Sequence, residues 1–177
     1  MARISHITRQ TLGFYRESNV PGPVEIPALV DSVLKIYSNK FKTKNITIQG
    51  EFGGCLPIQG LAGELKQAVS NLISNAADAV SDNGTIRVKL ECVESSDGQL
   101  VQVLIEVDGP GIGAEHRDRL FEPFFTTKKD VGTGLGLWVT KEIISRHGGS
   151  IEVRPREDKS STGAVFNVLL PSATESQ

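Results

Sequence analysis

Phe121-Glu122-Pro123-Phe124-Phe125-Thr126-Thr127-Lys128-Lys129 is followed, after Asp130 and Val131, by Gly132-Thr133-Gly134-Leu135-Gly136-Leu137. Three glycines at every second position contribute nothing to a core, because each costs backbone entropy in a regular element and has no side chain to bury. They do let the backbone approach a ligand and present bare N–H groups to it. The segment from Leu135 to His147 has apolar residues at helical spacing, so the glycines fall at or just before a helix N-terminus. A helix N-terminus is a place where phosphate is held well.

The chain has 177 residues, enough for one well-buried domain with some surplus at the ends, and its 38% hydrophobic content is ordinary for such a fold. A formal net charge of −2 gives no global basic field for nucleic acid or an anionic membrane. Phosphate binding must therefore be local. Cys55 and Cys92 lie far apart in sequence and show no metal or redox spacing, so they read as reduced, buried thiols of a cytosolic protein. The N-terminus does not resemble a signal peptide, and no apolar run reaches the roughly 20 residues needed to span a bilayer. Arg3-Ile4-Ser5-His6, following Met1-Ala2 at once, reads like the middle of a helix, as in a piece of a longer polypeptide.

The sequence predicts a helix up to about residue 17 and a linker over 20–26, where Val20-Pro21-Gly22-Pro23-Val24 breaks the chain. Pro27 suits the first turn of a second helix carrying Leu29, Val30, Val33, Leu34 and Tyr37 on one face. A strand follows at Ile46–Gln49. The clearest helix runs from Gly60 to Val80, with Leu65, Ala68, Val69, Leu72, Ile73, Ala76 and Val80 three and four apart. Gly84 is expected to take the left-handed turn after it. Alternation over Thr85–Val93 and Leu100–Val107 predicts an antiparallel pair, and Ile151–Arg154 and Ala164–Leu170 supply two more strands. Residues 172–177 form a polar, flexible tail. Helices and antiparallel strands without strict alternation point to an α+β fold, a two-layer α/β sandwich with helices on one face of a mixed, mostly antiparallel sheet.

On the long helix Asn71 and Asn75 are four apart and share a face, flanked by Glu64 and Asp78. Asparagine is a poor helix former, so a pair at i and i+4 suggests either a site wall or a solvated edge. An amide oxygen is a suitable hard ligand for magnesium. Val107-Asp108-Gly109-Pro110-Gly111-Ile112-Gly113 ends a strand in an acid and a glycine turn, which is a plain loop or the rim of a site.

In this order the motifs resemble the ATP-binding catalytic domain of bacterial two-component sensor histidine kinases, in the superfamily shared with gyrase, Hsp90 and MutL. The likeness runs from about Pro23 to Pro171. Asn75-Ala76-Ala77-Asp78-Ala79 is similar to the nitrogen-regulation and oxygen-sensor subgroup. The resemblance implies a cofactor set of ATP and Mg, with Asn75 on the metal and Asn71 lining the phosphate side as a catalytic residue. It also places Asp78, Asp108, Gly109, Gly111, Ile112, Gly132, Thr133, Gly134, Leu135, Gly136 and Leu137 around the nucleotide. Lys128 or Lys129 would offer a charge to the terminal phosphate. Related ATPases carry a glutamate base where Asn71 stands; an amide takes no proton, which favours transfer to a protein over hydrolysis.

Two departures from the family pattern stand out. Families of this kind usually read Asp-x-Gly-x-Gly, with the aspartate on the adenine amine, and counting back from Gly109 and Gly111 puts Val107 there. Either a bulge brings Asp108 inward or adenine recognition is weakened, and the alternation of Val101, Val103, Ile105 and Val107 points Asp108 outward. Ala164 also follows Gly163 where threonine is common. His6, His116 and His147 are not followed by a carboxylate as the family's phosphoacceptor is. His6 resembles the end of a dimerisation hairpin's second helix, which makes residues 1–19 a hairpin remnant and 27–171 the catalytic domain. His116 reads as a surface residue, and His147 as a helix C-terminal residue favoured by the dipole.

The implied partners are a dimerisation domain bearing the acceptor histidine and a downstream response regulator. No nucleic acid and no direct membrane contact are expected, and the implied location is cytoplasmic. The rival reading is a nucleotide-sensing or partner-binding module of the same fold with weakened adenine recognition. A serine kinase of the anti-sigma type shares the fold, and the helix at residues 3–17 speaks against it.

Overall fold

The computed structural model describes residues 20–55, 57–126, 133–156 and 162–173. The expected hairpin remnant, His6, Lys128, Lys129, Gly132 and most of the tail lie outside the described residues. In chain order the elements are β1 (Gly22–Val24), α1 (Ile26–Ile36), α2 (Ser38–Thr43), β2 (Thr47–Phe52), β3 (Ile58–Gly60), α3 (Ala62–Ala79) and β4 (Thr85–Ser95). They continue with β5 (Gly98–Asp108), α4 (Ala114–Arg117), α5 (Gly136–Arg146), β6 (Ser150–Pro155) and β7 (Gly163–Pro171).

Five strands form one sheet in the order β2-β4-β5-β7-β6, with only the β2–β4 pair parallel. The period of two sorts side chains between its faces. Ile86, Val88 and Leu90 of β4 stand opposite Val107, Ile105 and Val103 of β5, which stand in turn opposite Ala164, Phe166 and Val168 of β7. All are buried, and together they make the floor on which α1, α3 and α5 lie. The other face is polar: Arg87 donates to Gln49 (2.7 Å), Gln102 to Asn167 (2.8 Å) and Asn167 to Glu152 (2.9 Å). This is the sandwich that the alternation predicts.

α3 spans the middle of the helical layer. Leu65, Ala68, Leu72, Ile73 and Ala76 recur at spacings of three and four and are fully buried, so truncating any large one opens a cavity at a typical cost of about 2–5 kcal/mol. α1 begins with proline in its first turn and buries Leu29, Val30 and Val33 against α3.

Three local expectations are corrected. The stretch expected to be a linker contains β1, which pairs antiparallel with β3, Gly22 opposite Gly60 and Val24 opposite Ile58. Pro23 is tolerated there because a two-stranded ribbon has an edge that needs no N–H, while Val24 and Ile58 are both buried. At the end of α3, Asn83 (φ 64°) rather than Gly84 takes the left-handed turn, and its carboxamide oxygen accepts from Asn45 (φ 53°) at 2.7 Å. Finally, Cys55 and Cys92 are half-buried and adjacent: the Cys92 thiol donates to the carbonyl of Gly54 at 3.4 Å, and Cys55 hydrogen-bonds the Cys92 sulfur.

His147 acts as a side-chain bridge rather than as a charge on the dipole of α5. Its Nε2 accepts from the backbone N–H of Leu61 at 3.0 Å, so the proton sits on Nδ1, which donates to the carbonyl of Ile143 at 2.7 Å. The neutral ring thus joins the carboxyl end of α5 to the first residue before α3. Gly60 leaves room for it, since a Cβ there would lie 2.5 Å from the ring.

His147→Ala strands the Leu61 N–H, and urea titration of the variant should show a loss of about 1–3 kcal/mol. An unchanged midpoint would refute the bridge. Burial pushes the Cys55 thiol from 9.0 up to about 12, with the hydrogen bond to Cys92 and the negative charges of Cys92 and Glu91 adding to the shift. The protonated form is therefore the one the fold favours. Its contribution to stability is complete below pH 9 and disappears as the pH climbs through about 12. At pH 8 iodoacetamide should alkylate Cys55 at least about tenfold more slowly in the folded protein than in urea, read by peptide mass spectrometry.

Candidate functional site

The site is built where α3 meets the amino end of α5. Asn71, half-buried on α3, donates from its amide nitrogen to the carbonyl of Gly136 (3.1 Å) and to the hydroxyl of Thr140 (3.3 Å). The Thr140 hydroxyl in turn donates to Gly136 (2.9 Å) and is fully buried. With its nitrogen committed, Asn71 presents its carboxamide oxygen. Thr140 is not among the residues expected at a site, although a threonine four residues after a glycine on an otherwise apolar helical face is a usable signal.

Asn75 stands one turn further along, half-buried, and its amide makes no hydrogen bond to a described residue. The two acids on this flank are occupied. Glu64 accepts from Arg146 at 2.9 Å, and Asp78 is paired with Lys40. Asp78 is thus exposed and held by a cation beside the site.

Among the described residues the amino end of α5 has no side-chain cap: its N-cap residue is Leu135, whose own N–H donates weakly to the Thr133 hydroxyl at 3.4 Å. No described residue caps the first turn of α5, and a helix start of that kind suits an anion. Leu137 packs on the core and fixes the helix in place. Of the described glycines in the run, Gly134 is required sterically. It sits at φ 68°, and a Cβ would run into the backbone of Phe124. Gly136 has only the Asn71 carboxamide beside it, at 3.9 Å.

Phe124 is itself left-handed (φ 66°) and 74% exposed, an uncommon conformation for an aromatic residue. Its neighbours are tied down. Arg119 lies over the Phe125 ring at 4.7 Å, His116 packs on the same ring at 5.6 Å, and Lys141 of α5 reaches the Phe121 ring at 5.8 Å. This brings the Phe121–Phe125 segment against the start of α5.

At the other end of α3, Gly109 presses on the carbonyl of Ala79, where a Cβ would approach to 2.9 Å. Gly111 (φ 74°) turns the chain there, and Ile112 packs against the core. Asp108 does not join this group. Val107 takes the inward position, and Asp108 turns to the outer face, where it accepts from the N–H of Thr85 (3.1 Å) and pairs with Arg156 and, at 3.7 Å, with Arg87. β5 pairs with β4 through Val107 and with β7 through Asp108 without interruption, so no bulge brings the acid inward.

The described residues contain no cluster of three or more His, Cys, Asp or Glu that could hold a metal ion. The donor set suits magnesium nonetheless, because that ion keeps most of its waters and takes one or two protein oxygens beside phosphate. Asn75 has such an oxygen uncommitted. No helix among the described residues is long and apolar enough to cross a membrane.

The family model described as histidine kinase-, DNA gyrase B- and HSP90-like ATPase matches residues 60–174. The C4-dicarboxylate transport sensor protein DctB of Rhizobium meliloti is 33% identical over 97% of this chain and 27% of its own length. The sensor histidine kinase ZraS of Escherichia coli K12 is 36% identical over 84% of this chain and 30% of its own. The chain therefore spans less than a third of either protein. Among solved structures, the nucleotide-free catalytic domain of the histidine kinase ThkA superposes with a TM-score of 0.76 at 30% identity, covering 86% of this chain and 96% of that one. ThkA bound to the response regulator protein TrrA aligns over 99% of this chain and 49% of its own, with a TM-score of 0.75 at 28% identity. On these grounds the chain belongs to the histidine kinase-, DNA gyrase B- and HSP90-like ATPase family, on its sensor histidine kinase side.

Proposed function

We propose that this domain binds Mg-ATP between α3 and the amino end of α5 and transfers the γ-phosphoryl group to a histidine on a dimerisation domain. The observation that carries this reading is the start of α5, without a side-chain cap among the described residues and bonded by the Asn71 carboxamide, with both nearby acids of α3 held by Arg146 and Lys40.

The first-turn N–H groups of α5 would take phosphate oxygens, and Asn71 would orient the terminal phosphate while its nitrogen stays on Gly136. Asn75 would hold magnesium through its amide oxygen; the ion supplies charge neutralisation on the phosphates. Phosphoryl transfer depends on positioning and electrostatic stabilisation more than on covalent chemistry from the protein. With no unpaired carboxylate on this flank to activate water, a protein nucleophile is the better acceptor. Lys128 and Gly132 belong to the same proposal through the family resemblance, as charge and amide donors to the phosphates.

Neither described histidine suits the acceptor role. Both ring nitrogens of His147 are engaged, and His116 stacks on Phe125 beside Glu115. The acceptor would sit on a dimerisation hairpin of the parent homodimer, and the phosphate would pass to a response regulator, a partner class supported by the ThkA–TrrA complex. A cytoplasmic location belongs to the same reading. The turned-out Asp108 favours a second reading, a nucleotide-sensing or partner-binding module that has lost productive ATP binding.

Calorimetric titration should give micromolar binding of ATP with magnesium. EDTA or Asn75→Ala should weaken it at least about tenfold, about 1.4 kcal/mol. No binding at millimolar ATP would favour the second reading. Added in trans with labelled ATP, the acceptor hairpin should acquire acid-labile, alkali-stable label. ATP binding without any such label would sink the kinase assignment.

A further inference from the structure

At the carboxyl end of β5 the inward-facing positions are all hydrocarbon. Val107 is 3% exposed and lies between Ile86 of β4 and Ala164 of β7. The one carboxylate at this strand end, Asp108, faces the opposite side and is held by three groups: the Thr85 N–H, Arg87 and Arg156. Arg156 is itself only 10% exposed and also reaches Glu106 at 3.8 Å, so the acid is part of a packed network. Turning it inward means slipping β5 by one residue, which would send Val101, Val103, Ile105 and Val107 to the polar face. The turn that follows is equally constrained, since the Gly109 N–H donates to Thr162 (3.2 Å) while the Gly109 Cα packs on Ala79.

The position of a nucleotide base follows from α3. Asn71 marks the phosphate end and Ala79 touches Gly109, eight residues on, a distance of about 12 Å along the helix. A triphosphate anchored at the start of α5 therefore extends its base toward Val107 and Gly109. A base at that strand end finds no inward-facing carboxylate, because the inward position is Val107. Adenine offers an exocyclic amine at the position where guanine offers a carbonyl, and a fixed hydrogen-bonding group aimed at that edge, such as an inward carboxylate, is what separates the two strongly. A valine provides shape and stacking area and no such acceptor.

We propose that the base end of this site selects a purine by shape alone, so that the domain accepts adenine and guanine nucleotides with similar affinity. In this arrangement Asp108 fastens the end of the sheet and takes no part in reading the base. The inference rests on the nucleotide-binding reading of the site.

The test is competition calorimetry of magnesium-ATP against magnesium-GTP on the full chain and on Asp108→Asn. The expected result is dissociation constants for ATP and GTP within about threefold of each other. Asp108→Asn should keep that ratio while lowering the melting temperature, because the partner of buried Arg156 loses its charge. An ATP preference above about tenfold in the native chain would overturn the inference while leaving nucleotide binding intact. So would an Asp108→Asn variant, folded by circular dichroism, whose preference between the two shifts tenfold. Failure of both nucleotides to bind at millimolar concentration would remove the nucleotide reading itself and the inference with it.

Discussion

A strand cannot point two consecutive side chains to the same face, and in this domain that restriction on β5 decides both the core and the direction of Asp108. β5 is the central strand, paired through nearly its whole length with β4 on one side and β7 on the other. Four of its residues are buried against the helices, and the last of them is Val107. The burial of those four side chains far outweighs the placement of one carboxylate. Asp108 is therefore outward because Val101, Val103 and Ile105 are inward, and the arginines on the outer face compensate its charge.

α3 meets a related conflict differently. One face must be apolar to cover the sheet, and the adjoining flank must be polar where it meets the start of α5 and solvent. A helix accommodates both, because its period of 3.6 leaves a boundary where Asn71 and Asn75 are half-buried. Asparagine inside a helix costs about half a kcal/mol relative to alanine, a small penalty against the burial on the apolar face. Asn71 offsets part of that by bonding to Gly136 and Thr140, which fixes the start of α5 relative to α3. The same contact orders the site and holds two helices together.

Elements with strong periodicity were legible in the sequence. α3, β4, β5 and the outward direction of Asp108 all follow from spacing, and the structure agrees with them. What could not be read are arrangements made by distant segments. Pro21-Gly22-Pro23 has the composition of a break, and only the burial of Val24 beside Ile58 makes it a strand. The proximity of Cys55 to Cys92 follows from the parallel pairing of β2 with β4, and no local pattern encodes it. Asn83 displaces Gly84 from the left-handed position because Asn45 is placed to bond its side chain across the turn. The glycine run reads as a unit in the sequence, yet Gly134 and Gly136 stand where they do for different reasons. The first clears the Phe124 backbone and the second stands beside Asn71.

The ribbon of β1 and β3 fastens the first described residues to the helical layer. β1 follows directly on the chain before Gly22, and β3 leads through Leu61 into α3, where His147 also joins the end of α5. A chain held at Gly22 is thereby held, through Gly60 and Leu61, at the one place where α3 begins and α5 ends.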